Sequence, residues 1–247
     1  MTRKKHQFRH IEIEINATCD VNCPSCDRFC DVAPGPSMTL GQIRHFIAES
    51  SALDWPWERI HILGGEPTIH PQFRRIAEEL LALRRDDSTL VRVISNGAGR
   101  LEKHRAWLDE NGIDIAVSAK APGNMPEYWH NMWLCAADES DGPQPVCSIF
   151  GLKGCGIGLT RHGYFLCGAG ASVARVCGLD IGIQRLTDLT IGAMEAQAVK
   201  LCRLCAHKEG FTQRIADTGL VKGPFWTDAL SRYQTRVPPM TLYGETE

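Results

Sequence analysis

Residues 19–30 read CDVNCPSCDRFC, placing four thiols within twelve positions. Thiolates are soft ligands that suit zinc and iron-sulfur clusters, and Cys19, Cys23 and Cys26 stand in C-x3-C-x2-C spacing. Three such ligands would leave one iron of a four-iron cluster open to a substrate or cofactor. Spacing alone fits equally a zinc site completed by Cys30 or a histidine, or simply buried free thiols. The chain carries 11 cysteines, an odd count that argues against a fully paired disulfide framework.

A second group is LGGEPTIHP, 63–71, in which Gly64 and Gly65 permit close backbone approach while Glu66 and Pro67 form a polar edge. Alone it is only a tight turn before a helix. A third group comprises Cys155, Cys167, Cys177 and the pair Cys202 and Cys205 in CRLC. Between its first two members, GIGLTRHGYFL reads as a hairpin turning near His162 and Gly163. Four thiolates there would suit zinc as well as a cluster.

Other features weigh less. GCGIG, 154–158, and GAGAS, 168–172, superficially resemble dinucleotide loops, but neither follows a clear strand and opens a helix. Cys135 and Cys147 read as buried or loop thiols, and His61 and His70 as strand-face or cap residues. Lys120, Lys153, Arg161, His162 and Arg175 could face substrate, although loop charges are usually just solvated.

The elements that must position these residues alternate between strand and helix. IEIEIN, 11–16, predicts a strand, and a helix follows from about Thr39, where Thr39 and Gln42 have capping-box spacing and Leu40, Ile43, Phe46 and Ile47 share a face. ERIHIL, 58–63, leads to a helix opening near Pro71 with Phe73, Ile76, Leu80 and Leu83 on one stripe. LVRVIS, 90–95, precedes a helix from about Leu101 that should stop at Asn111 and Gly112, and IDIAVS, 113–118, is a fourth strand. This recurrence has the density of a (β/α) barrel or a doubly wound sheet. QPVCSIF, 144–150, could supply a fifth strand, and beyond Cys155 the rhythm is lost, which sets a loose boundary near residue 150.

With 247 residues, 43% of them hydrophobic, the chain can bury a core without staples, as one domain or one domain with an appendage. A net charge of -2 with interspersed signs gives no basic face for nucleic acid and no polybasic membrane anchor. The basic start MTRKKHQFRH leads into the Ile/Glu alternation instead of an apolar run, and no stretch approaches the roughly 20 apolar residues of a membrane span. A soluble, cytoplasmic protein with a small-molecule or peptide partner is expected.

Taken together, CDVNCPSC after the first predicted strand and GGEP after the second resemble the signature of the radical S-adenosylmethionine (radical SAM) superfamily. VISNG, 93–97, and Ser118 at the ends of the third and fourth strands extend the resemblance over roughly the first 120 residues. It implies an α/β fold, a partial (β/α) barrel of about five or six parallel strands over 1–150, with a small cysteine-rich appendage over 151–247. Cys19, Cys23 and Cys26 would hold a 4Fe-4S cluster whose open iron chelates SAM. Gly64, Gly65 and Glu66, with Pro67 fixing their edge, would meet the SAM amino group, and Ser95, Asn96 and Ser118 would lie near its carboxylate or ribose. The reduced cluster would cleave SAM to methionine and a 5'-deoxyadenosyl radical that abstracts hydrogen from substrate, with an electron donor such as flavodoxin or ferredoxin. Cys30 would be a packed bystander, because a fourth protein ligand would close the site that SAM needs. Ser25 stands where many members carry an aromatic near the adenine, and Phe29 is a candidate substitute.

The hairpin between cysteines followed by CRLC looks like the auxiliary-cluster appendage, or twitch domain, of some members. It implies a second 4Fe-4S cluster on Cys155, Cys167, Cys202 and Cys205, with Cys177 an alternative to Cys167. Length and a single appended cluster resemble the small radical SAM dehydrogenases of aminocyclitol biosynthesis, so oxidation or epimerisation of a small polar metabolite is the expected reaction. A peptide-modifying enzyme, a glycyl-radical activase and a non-catalytic zinc or iron-sulfur module are the alternatives.

Overall fold

A computed structural model describes residues 8–21, 26–30, 32–86, 88–118, 156–204 and 224–245. The first strand, β1, is His10–Glu14, and the helix α1, Leu40–Ala52, opens with the expected capping box: Thr39 caps it and Gln42 returns the bond. Strand β2 is Arg59–Leu63 and helix α2 Phe73–Leu80. Pro71 lies ahead of α2 instead of in its first turn, because His70 closes a local turn: the Phe73 N–H donates to its carbonyl and the Gln72 N–H to its ring. Strand β3 (Leu90–Ser95), helix α3 (Glu102–Glu110) and strand β4 (Asp114–Val117) follow. Gly112, at φ 62°, takes the left-handed position that ends α3.

The expected hairpin is present as β5 (Ile157–Thr160) and β6 (Gly163–Phe165), with Gly163 at φ 105° in its turn. After it come α4 (Gly168–Cys177), α5 (Ile191–Leu201) and α6 (Pro224–Thr235). Among the described residues six strands form one sheet in the order β4-β3-β2-β1-β5-β6, parallel except for the β5–β6 hairpin. Successive strands joined through helices on one side of β1 are the wiring of a partial (β/α) barrel. Among the described residues the fifth parallel strand is β5; the 144–150 stretch and the boundary expected near 150 lie outside them.

GAGAS proves to follow a strand and open a helix, contrary to the sequence reading, because residues 168–172 begin α4 directly after β6. The core runs through the isoleucines of β1 and β2, Val91 and Val93 of β3, and Ile43, Phe46, Ile76, Leu80 and Leu108 of the helices. Alternation puts Glu12, Glu14 and His61 on the opposite face. Among the described residues no helix is long and apolar enough to cross a membrane.

Candidate functional site

The parallel pairing of β1 with β2 runs past both strands. The Ile15 N–H donates to Leu63 at 2.8 Å, Gly65 to Asn16 at 3.0 Å, and Glu66 to Thr18 at 2.8 Å, all onto carbonyls. A Cβ on Gly64 would stand 2.2 Å from Asn16 Oδ1, and one on Gly65 would stand 2.0 Å from the Thr18 carbonyl oxygen. No side chain fits at either position, so the two glycines lock GGEP against the residues that lead directly into Cys19.

Glu66 follows and is 1% exposed. Its carboxylate accepts from the Thr68 N–H (3.1 Å) and hydroxyl (2.5 Å), from Ser95 Oγ at 3.0 Å, and from the Asn96 N–H at 2.8 Å. With Pro67 opening a 3-10 turn at Pro67–Ile69, this carboxylate braces the end of β3 to the end of β2. The Asn96 side chain continues the chain of contacts, donating to Asp20 Oδ1 at 2.9 Å and to Cys19 Sγ at 3.5 Å. Arg100 adds an ion pair to Asp20 at 3.3 Å. The Ser118 N–H donates to the Ser95 carbonyl at 2.8 Å. Gly64, Gly65, Glu66, Pro67, Ser95, Asn96, Ser118 and Cys19 are thus gathered at the C-terminal ends of four adjacent parallel strands, the end where open and barrel-like α/β sheets place their ligands.

Burial raises the Cys19 thiol above its ordinary range. Cys26 is lowered to about 7, chiefly by a hydrogen bond from Cys30, whose own thiol the same contact and burial push far up. The buried Cys30 thiol donates to the Arg28 carbonyl at 3.7 Å. A soft donor set of thiols beside a glycine cradle, with Asn16 Oδ1 buried and without a hydrogen-bond partner, fits a thiolate-bound cluster that also takes a polar ligand. Cys23 lies outside the described residues, among which no three metal-binding side chains stand together.

Phe29 does not serve as an adenine platform. It is 1% exposed at φ 52° and stacked on Trp226, ring centroids 5.0 Å apart, so the apolar core has claimed it. Of the second cysteine group, Cys167 caps α4, its sulfur accepting from the Gly170 N–H at 3.2 Å, and Cys202 ends α5. The two helix ends approach each other: a Cβ on Gly170 would stand 3.3 Å from both Cys167 Sγ and Leu201 Cδ1. Cys177 sits half-buried at the far end of α4, its thiol pushed up to about 12 by burial. Cys155 and Cys205 lie outside the described residues.

Sequence reasoning passed over the polar face of the sheet. Register aligns Glu12, His61, Arg92 and Asp114 across β1 to β4. Arg28 reaches this face from the cysteine loop, pairing with Glu12 at 2.8 Å and approaching Glu14 at 3.8 Å. Arg92 pairs with Asp114. Glu14 Oε2, Arg28 Nη1 and His61 Nε2 are buried without hydrogen-bond partners. Desolvation raises Glu14, and desolvation followed by the charges of Arg92 and Arg59 lowers His61 to about 4, so the imidazole is neutral. The signal was present in IEIEIN: acids that alternate with core isoleucines on a strand whose second face is also covered.

No protein-family profile matches the chain. It is similar to the GTP 3',8-cyclases of two Haemophilus influenzae strains, 28% identical over 131 residues that make up 52% of this chain and 37% of each relative. It therefore spans well under half the length of those relatives. Among solved structures it is similar to BtrN in complex with AdoMet and 2-DOIA, with a TM-score of 0.50 and 17% identity over 85% of this chain and 86% of that one. At that identity the likeness concerns the fold.

Proposed function

We propose that this chain is an enzyme of the radical SAM type, using a 4Fe-4S cluster and S-adenosylmethionine to oxidise or epimerise a small polar metabolite, a reading that its likeness to the GTP 3',8-cyclases supports. The observation that carries the reading is the continuous contact path from GGEP through Glu66, Ser95 and Asn96 to Cys19. Cys19, Cys23 and Cys26 would hold the cluster, which when bound supplies the electron that cleaves SAM to methionine and a 5'-deoxyadenosyl radical.

The chain's own residues bind and orient. Gly64 and Gly65 bring bare backbone to the ligand, while the Glu66 carboxylate, already saturated by Thr68, Ser95 and Asn96, acts as a brace and leaves the SAM amino group to backbone carbonyls. Ser95, Asn96 and Ser118 face the same end of the sheet, near the SAM carboxylate or ribose. The polar face with Glu12, Glu14, Arg28 and His61 supplies donors and acceptors that a hydroxyl- or amine-bearing substrate can use, and its neutral His61 can exchange a proton through Nε2. Cys155, Cys167, Cys202 and Cys205 would hold a second 4Fe-4S cluster, a reading supported by the approach of the α4 and α5 ends.

The relatives are named for action on GTP, and BtrN is described with 2-DOIA. Both names are compatible with a small polar substrate here. The test is anaerobic reconstitution, iron and sulfide counts, and 5'-deoxyadenosine formation from SAM under reduction. A fully loaded chain that forms none would end the enzyme reading and favour a binding module.

A further inference from the structure

The return limb of the first cysteine loop is held from the C-terminal half of the chain, and the residue responsible is Arg175. By sequence Arg175 could face substrate or be a solvated loop charge; it lies in the last turn of α4 and is 5% exposed. Its Nη2 donates to the Arg28 carbonyl at 2.6 Å, its Nη1 to the Ala33 carbonyl and to Tyr233 Oη at 3.3 Å. Tyr233, from α6, donates in turn to the Pro34 carbonyl at 2.8 Å and lies under the guanidinium, 5.8 Å from ring centre to Cζ.

Burying a guanidinium carries a large desolvation cost, and an apolar side chain of similar volume often packs at least as well. What only the fork of an arginine supplies is donors at fixed geometry for two carbonyls five residues apart. Those carbonyls bracket the segment containing Cys30, directly after Cys26. Between them Phe29 holds φ 52°, a conformation that a bulky residue keeps only when its surroundings enforce it. The enforcement comes from α4 and α6: the Arg175 fork on Arg28 and the Trp226 ring on Phe29.

We propose that Arg175 is a positioning residue for the first cluster: it fixes the backbone at Arg28 and Ala33 so that Cys26 meets Cys19 and the GGEP turn in ligating geometry. This rests on the radical SAM reading of the cysteine loop. Since α4 also begins at Cys167, one helix carries a thiol of the second group at one end and the tie to the first loop at the other.

The test uses the full chain with two variants, Arg175→Met and the milder Tyr233→Phe. In the metal-free protein the alkylation rate of each cysteine is followed by mass spectrometry. Release of the loop should speed labelling of buried Cys30 roughly tenfold in Arg175→Met and less in Tyr233→Phe, with Cys177 labelling unchanged because α4 stays intact. After reconstitution, the SAM-induced change in the spectrum of the reduced cluster should weaken in the same order, with SAM affinity down roughly tenfold for Arg175→Met. Unchanged Cys30 labelling in both variants, or Cys30 and Cys177 rising together as in general unfolding, overturns the proposal. A wild-type chain that loads iron but shows no SAM response would instead end the functional reading, while the labelling result would still decide whether Arg175 holds the loop.

Discussion

The two cysteine groups are anchored by different physics. Around Cys19 the chain continues a parallel ladder, with Asn16 and Thr18 pressed against Gly64 and Gly65 so closely that no Cβ fits, and a saturated carboxylate ties in the next strand. Cys167 and Cys202 instead sit at helix ends, one as an N-cap and one as a C-cap, and the approach of those two ends depends on how α4 packs against α5. The first arrangement is rigid before any ligand arrives, because sheet backbone defines it. The second is set by side-chain packing between helices, which tolerates small shifts.

The sharpest way to break that contrast is paired removal of thiols. Cys19→Ala with Cys26→Ala should reduce 5'-deoxyadenosine to background while leaving one cluster's iron, whereas Cys167→Ala with Cys202→Ala should leave the first cluster's SAM response in place. If the second pair also abolishes that response, the two groups are not independent. Next in size is Gly65→Ala, where the new methyl meets the Thr18 carbonyl. Overpacking against backbone should cost about 3 kcal/mol in urea unfolding and impair cluster loading as well.

Glu66→Gln keeps the shape but weakens the brace to Ser95 and the Asn96 N–H. A loss of about 2 kcal/mol of stability and weaker SAM binding are expected, and wild-type binding would mean that the brace is dispensable. His61 gives a pH signature. Its folded value of about 4 lies below the ordinary 6.5, so the unfolded chain takes up the proton first as pH falls. Its contribution to stability is full above 6.5 and lost on the way down to about 4. His61→Gln should therefore flatten the acid side of the stability curve across that window, as read by denaturation midpoints. The smallest effect belongs to Cys30→Ala, which should retain the first cluster's full iron content. Loss of a whole cluster would make Cys30 a ligand and undo the division of the opening thiols into three and one.

Much of this was readable from residue order. Thr39 and Gln42 specify their helix start locally, Asn111 and Gly112 their helix end, and the glycine turn follows β2 as the alternation of ERIHIL requires. Less legible were features in which distant segments meet. The β5–β6 hairpin was foreseeable, yet its seat beside β1 was not, because the Ile157–Leu159 stretch fits any parallel edge and only packing selects one. Phe29 looked available to a ligand until Trp226, nearly two hundred residues on, covered it.

Residue order alone specifies the local chemistry: three soft thiols at fixed spacing, two glycines where backbone must approach backbone, and strands and helices in the alternation that brings those turns to one end of a sheet. Only the tertiary structure decided which polar groups are buried and what they hold. Arg175 is buried with its guanidinium on the carbonyls of Arg28 and Ala33, and Glu66 is buried with its carboxylate tied to Ser95 and Asn96. The reason is physical: donor spacing and turn geometry are encoded over a few residues, whereas the desolvation that gives a buried charge its role is conferred by segments far away in the chain.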